Sequence, residues 1–367
     1  MVQSEALRKL VEAARAPLRE WPERYKGFRA MGYLCSYVPE EMVHAAGFVP
    51  LRVRGTSAPL RHVDAHLQSF SCALCRSSLD QVLNGELGFM AGAVFAHTCD
   101  TMQALADLWW MNNPAPYFVD TVMQPVNLST PAARPFLIAE LARFRARLAA
   151  YAGQPISDES LKTSIGLYNE TRALVDRFQR RRERLAVPEF YAVLDAAQIM
   201  PRERFNPLLK ELLRDLEEMP GQVNDPCLFL AGAVLDEPRL LDLVEELGAG
   251  VVGDDLCSGS RHFRAVVGAQ GDPLAAISDY FLGRPPCPTK LHVDHNPGQY
   301  LVEQARETSA DGVMFVIEKF CEPHAFDYAM VCPALDEAGL PYLLLEMEQT
   351  PSLEALRTRF QAFVEIL

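Results

Sequence analysis

FMAGAVFAHT, residues 89–98, is an almost unbroken apolar run that turns polar only at its end. A strand covered on both faces reads this way, because neither set of alternating side chains meets water. Cys99 and Asp100 follow at once, and TMQALADLWW (101–110) resumes a helical pattern. Strand, short loop and helix form the unit of an open α/β sheet, in which ligands bind beyond the carboxyl ends of the strands. The expected fold is therefore α/β with a parallel sheet, and the loop at Cys99 is expected to face a site.

Upstream, CSYVPEEMVHAAGFVPLRV (35–53) predicts a loop, a short helix from about Pro39 to Ala46, and a strand from about Val49. Pro39 suits a first helical turn, Glu40 and Glu41 complement its positive end, and Gly47 can end it. Downstream, PYFVDTVMQP (116–125) predicts another strand. A long helical stretch starts near Ala132 and breaks at YAGQPISDES (151–160), where Ser157 or Asp158 can cap its successor. The basic run Arg180–Arg184 reads first as a solvated helix surface. A further helix covers about 203–218.

Strand signals return in PCLFLAGAVL (226–235), AGVVGDD (249–255) and DGVMFVIEKF (311–320), alternating with helical patterns up to LEALRTRFQAFVEIL (353–367). That rhythm predicts a second parallel sheet. The expected organisation is two Rossmann-like or flavodoxin-like parallel-sheet domains joined by a helical bridge. The first domain spans residues 1–150 with the N-terminal helices, the bridge 151–220, and the second domain 221–367.

Composition narrows the function. A formal charge of −13, from 48 acidic and 35 basic residues, argues against phosphate-backbone recognition, so no nucleic acid is expected. The N-terminal stretch lacks a signal-peptide core, and no apolar run reaches membrane-spanning length. The expected compartment is the reducing cytoplasm. There, nine cysteines are a poor disulfide framework. They are either small hydrophobic core residues or soft metal ligands. Cys72 and Cys75 make a lone C-x-x-C, which alone fits a redox pair or half a zinc site.

The cysteine segments SFSCALCRSSLD (69–80), AHTCDTM (96–102) and EKFCEPHAFDYAM (318–330), with CSYVPEEMVHAAGFVPLRV and IGLYNETR (165–172), stand in a characteristic order. In these segments the chain resembles the family of 2-hydroxyacyl-CoA dehydratases and ATP-dependent benzoyl-CoA reductases. The resemblance implies a [4Fe-4S] cluster held by Cys72, Cys99 and Cys321. It also implies a separate ATP-hydrolysing iron–sulfur activator, a homologous cluster-bearing subunit or self-dimer, and an acyl-CoA substrate. Cys35, Cys257 and Cys287 lie at turns and strand ends, poor places for inert core thiols. The chain looks like members holding an [8Fe-9S] double-cubane cluster on these six cysteines, with Cys75 a competitor for one position. Cys227 and Cys332 read as structural.

Other polar residues carry two readings each. His97 and Arg76 are candidates for supporting roles beside the cluster, but a strand-end histidine is also structural. Lys290 could neutralise an anion, though solvent is its more natural place. Asp100 reads as a helix cap, and Asp254 and Asp255 as polar groups at a strand end. No pair is assignable as general acid and base by spacing. The leading functional reading is an iron–sulfur subunit of an ATP-dependent acyl-CoA reductase of the benzoyl-CoA type. The alternatives are a 2-hydroxyacyl-CoA dehydratase subunit, a homodimeric double-cubane reductase, and an electron-relay component.

Overall fold

The computed structural model describes residues 4–113, 116–221 and 224–367. Within them lie two four-stranded sheets, each wholly parallel. The first contains β1 (Ala30–Tyr33), β2 (Val49–Arg52), β3 (Gly92–Ala96) and β4 (Phe118–Val122), ordered β2-β1-β3-β4. The second contains β5 (Cys227–Gly232), β6 (Gly250–Leu256), β7 (Gly312–Glu318) and β8 (Tyr342–Met347), ordered β6-β5-β7-β8. Counted from its own first strand, each sheet reads 2-1-3-4. The second half thus repeats the topology of the first. This is the doubly wound, flavodoxin-like order, whose winding reverses between first and third strands.

The 89–98 run forms β3, and all five of its strand residues are buried. The strands expected at 49, 116–125, 226–235, 249–255 and 311–320 are all present, and β8 completes the second sheet. β1 is the exception: the sequence reading places no strand there. It is only four residues, Ala-Met-Gly-Tyr, and Gly32 lies where a Cβ would press on the Met90 side chain. At the end of β5, Gly232 takes φ +132°, and a Cβ there would collide with the Val316 carbonyl. Only glycine lets β5 close on β7 at this reversal point.

Helices cover both sheets. The N-terminal helix Glu5–Arg15 is capped by Ser4, whose Oγ accepts from the Leu7 amide at 3.1 Å and donates to Asp215 at 2.5 Å. One apolar core runs from Phe95 through the helix Val187–Ile199 to Leu230 and Val316, so it joins the sheets. A second packs Leu137 and Phe144 of the helix Ala133–Ala152 against Ile277 and Phe281 of the helix Pro273–Gly283. A helix late in the sequence thereby covers the first sheet. Each fully buried Leu or Phe contributes about 1.5–3 kcal/mol relative to an exposed one.

Several charged residues that read as helix-end or surface groups are instead buried in pairs. Glu41 meets Arg172 at 2.5 Å, and Glu40 meets Arg202 at 2.9 Å and His262 at 2.9 Å. Within the basic run, Arg180 stays exposed beside Asp176, but Arg182 is buried against Asp254 at 2.6 Å. No helix of the described residues is long and apolar enough to cross a membrane.

Candidate functional site

Cysteines gather at the carboxyl ends of the strands. Cys35 follows β1, Cys99 follows β3, Cys257 follows β6 and Cys321 follows β7. Cys72, Cys99 and Cys321 share a further feature: each is the N-cap residue of a helix, Ala73–Leu83, Asp100–Asn112 and Glu322–Ala338 respectively. Cysteine is not a favoured cap. Three of them at helix starts place sulfur where the helix dipole favours negative charge. The sequence reading gives the second cap to Asp100; the structure puts Cys99 there and Asp100 in the first turn.

These three sulfurs sense one another across the two halves. The Cys72 thiol is lowered from its ordinary value by a hydrogen bond from Cys75, against burial, with help from the amides of Cys75 and Leu74. Cys75, only 1% exposed, is pushed well up by that bond, by burial, and by the charges of Cys72, Cys99 and Cys321. Burial raises Cys99, while the amides of Met102 and Thr101 pull it back and the charge of Cys72 adds to the rise. Burial also raises Cys321, followed by the charge of Cys72, with the His324 amide opposing. Just before it, Phe320 holds φ +67°, an unusual conformation for a bulky side chain, and shapes the loop at Cys321.

A second group forms beside the first. Cys35 is pushed up to about 12 by burial and by the nearby charges of Cys287 and Cys257. Cys257 is raised by burial and by Cys287, and lowered by Arg261 and Arg52. The Arg261 guanidinium donates to Cys257 Sγ at 3.3 Å, and His324 Nε2 lies 3.8 Å from the same sulfur. The charge of Cys257 also raises Cys321, linking the groups. Next to Cys257, at the reversal point of the second sheet, lies a cavity of about 30 Å³ lined by Asp255, Arg261, His295, Tyr300, His324 and Asp327. It has room for about two waters. The buried Tyr300 hydroxyl has no partner among the described residues. Burial pushes Asp327 up to about 6 and His324 down to about 3.

Among the described residues, no three His, Cys, Asp or Glu side chains close on one point as the ligands of a single metal ion do. A cubane asks for something else. Its iron atoms occupy separate corners, and each thiolate meets its own iron, so the sulfurs stand apart. Soft donors, mutual proximity and helix N-termini aimed at shared negative charge fit such a cluster.

The remaining candidates divide. Arg76 donates to the Gln68 carbonyl at 3.1 Å and pairs with Asp64, so it secures the loop leading to Cys72. His97 directly follows β3, and its carbonyl accepts from Lys290 at 3.3 Å. Lys290 is not in solvent but buried, as is Arg284, which sequence reasoning does not single out. Glu318, at the end of β7, is pushed up to about 9 by burial and by the charges of Asp236 and Cys72. Cys227 begins β5, at the opposite end of the sheet from the site, and its thiol bonds the Asn224 carbonyl at 3.3 Å. Cys332 lies within the helix Glu322–Ala338, near Tyr328 and Tyr342.

Comparison with known proteins finds relatives over nearly the whole chain. The chain is 30% identical over 359 residues to one of the subunits of benzoyl-CoA reductase from Thauera aromatica, covering 95% of this chain and 93% of the relative. It is 30% identical over 349 residues to the beta subunit of lactoyl-CoA dehydratase from Anaerotignum propionicum, covering 93% and 92%. It is 28% identical over 347 residues to the beta subunit of (R)-phenyllactyl-CoA dehydratase from Clostridium sporogenes, again covering 93% and 92%. Residues 35–367 match the model of the 2-hydroxyglutaryl-CoA dehydratase D-component, and the chain belongs to that family.

Proposed function

We propose that this chain is an iron–sulfur subunit of an ATP-dependent acyl-CoA reductase, with reduction of a benzoyl-type aromatic ring as its reaction. The observation that carries the reading is the meeting of Cys72 and Cys99, from the first half, with Cys321, from the second, each at a helix N-terminus. A bound iron–sulfur cluster supplies low-potential single electrons, which side chains cannot. The protein's part is to hold it. Cys72, Cys99 and Cys321 would ligate it, three helix starts would offset its negative charge, and buried Cys75 stands three residues after Cys72 on the same helix.

Cys35, Cys257 and Cys287 hold further iron and sulfide in the same reading, giving a double cubane. The chain has no G-x-x-x-x-G-K-[ST] segment, which supports placing ATP hydrolysis on a separate iron–sulfur activator. A homologous subunit or second copy completes the enzyme, in the reducing cytoplasm that free thiols suit. The second reading is dehydration of a 2-hydroxyacyl-CoA, favoured by the names of the lactoyl- and phenyllactyl-CoA relatives.

The test is an anaerobic assay of the assembled enzyme with activator and ATP, offering benzoyl-CoA and 2-hydroxyacyl-CoA thioesters in parallel. Mass spectrometry of the product distinguishes gain of hydrogen from loss of water. Water loss alone would transfer the assignment to the dehydratase branch. Full activity without any ATPase would remove the activator from the scheme.

A further inference from the structure

Elsewhere in the molecule, deeply buried arginines have carboxylates. Arg172 has Glu41 at 2.5 Å, Arg182 has Asp254 at 2.6 Å, and Arg202 has Glu40 at 2.9 Å. This is the ordinary rule, because an unpaired buried charge is heavily penalised. Three cations break it, all near Cys35, Cys257 and Cys287. Arg52, Arg284 and Lys290 are 2%, 3% and 8% exposed. Among the described residues, their polar partners are neutral. Arg52 donates to Gln198 Oε1 at 2.6 Å and the Cys257 carbonyl at 2.8 Å. Arg284 donates to the carbonyls of Ser36 and Arg261, each at 2.9 Å, and its Nε has no acceptor. Lys290 reaches only the His97 carbonyl, at 3.3 Å. The rings of Tyr37 and Tyr280 lie by Arg284, and Tyr37 also lies by Lys290.

Thiols are the charge partners of Lys290 and Arg284, and they share Arg52 with the carboxylates of Asp195 and Asp236. Cys287 and Cys35 are felt by both Lys290 and Arg284, and Arg52 is felt by Cys35 and Cys257. As protonated thiols they offer little negative charge. The three cations together find matching charge only when the sulfurs are deprotonated, as they are when they bind iron. The group at Cys72, Cys99 and Cys321 is built differently, with helix starts on one side and the acid Glu318 nearby.

We propose that Arg52, Arg284 and Lys290 are the counter-cations of an iron–sulfide guest on Cys35, Cys257 and Cys287, and that they stabilise the electron it accepts. The inference rests on the double-cubane reading above. One electron arrives from the low-potential donor, the guest becomes more negative by one charge, and no bond is made or broken. The buried cations favour that product, so this end of the site has the higher reduction potential and holds the electron before use.

The experiment compares the anaerobic wild-type enzyme with Arg284→Gln, Lys290→Met and the charge-retaining Arg284→Lys. Iron and acid-labile sulfide are counted, and a one-electron redox titration is followed spectroscopically. Retained iron is expected, with a roughly tenfold fall in the reduced-to-oxidised ratio at the wild-type midpoint. That equals about 59 mV for one electron. Arg284→Lys should restore most of it. Selective loss of the iron bound at Cys35, Cys257 and Cys287 in folded variants also supports the proposal, because the guest then needs the cations to bind. Full iron with an unchanged midpoint in both charge-removing variants overturns it while leaving the double-cubane reading intact. Wild-type protein with a single cubane, and with Cys35, Cys257 and Cys287 all open to anaerobic alkylation, overturns both.

Discussion

Arg261 bridges a carboxylate and a sulfur: one guanidinium nitrogen lies 2.7 Å from Asp255 Oδ2 and another 3.3 Å from Cys257 Sγ. Removing it leaves Asp255 buried with Arg264, at 3.2 Å, as its one ion-pair partner among the described residues. Breaking a buried pair typically costs about 3–5 kcal/mol. Because Arg264 remains, Arg261→Ala is expected near the lower figure, measured by anaerobic denaturant unfolding. Wild-type stability in this variant would show that the bridge carries no net stabilisation.

Single alanine replacements of Cys72, Cys99 and Cys321 should each remove most of the iron, since each leaves a metal corner without its thiolate. Cys227→Ala and Cys332→Ala should keep it. Iron and sulfide analysis of anaerobic preparations checks both sets. Normal iron in all three of the first group would reject this ligand set.

Glu318 gives the cluster-free protein a defined pH dependence. Its carboxyl is held near pH 9 when folded, against 4.5 ordinarily. The native state therefore keeps a proton that the unfolded chain releases, and stability from this group falls as pH rises between those values. The slope is at most about 1.4 kcal/mol per pH unit. Glu318→Gln should flatten that part of the stability profile, as measured by urea unfolding from pH 5 to 9. A profile as steep as the wild type's would assign the slope to other groups.

Phe320 predicts an inversion of the usual glycine penalty. Glycine ordinarily costs about 0.5–1 kcal/mol more than alanine within regular elements. At φ +67°, an L residue is disfavoured by about 1–2 kcal/mol. Phe320→Gly should therefore be at least as stable as Phe320→Ala, by paired thermal melts. Alanine being clearly the more stable would mean that the loop relaxes out of this conformation.

Much of the fold is legible in the chain because buried parallel strands are written as apolar runs. β3 and β7 could hardly be read otherwise. β1 is not legible: four residues containing a glycine carry no period, and only pairing with β2 and β3 defines them. The ordered cysteine segments point to the site. That Cys72, Cys99 and Cys321 all open helices is hidden, since capping preferences name other residues. The burial of Arg52, Arg284 and Lys290 is hidden too. A long basic side chain looks the same in sequence whether it meets water or faces sulfur, and only tertiary packing decides.

The repeated 2-1-3-4 sheets also bear on biogenesis. β1–β4 leave the ribosome first, carrying Cys72 and Cys99, while Cys321 emerges only after β7. Domains generally fold as units during synthesis, N-terminal part first. The first sheet can thus form with two of its sulfurs still lacking their third. Machinery that delivers iron and sulfide to the nascent chain would meet an incomplete set of ligands. Under the proposed function, maturation belongs after translation, when both halves are made, and a cluster held by all three sulfurs would act as a rivet between them.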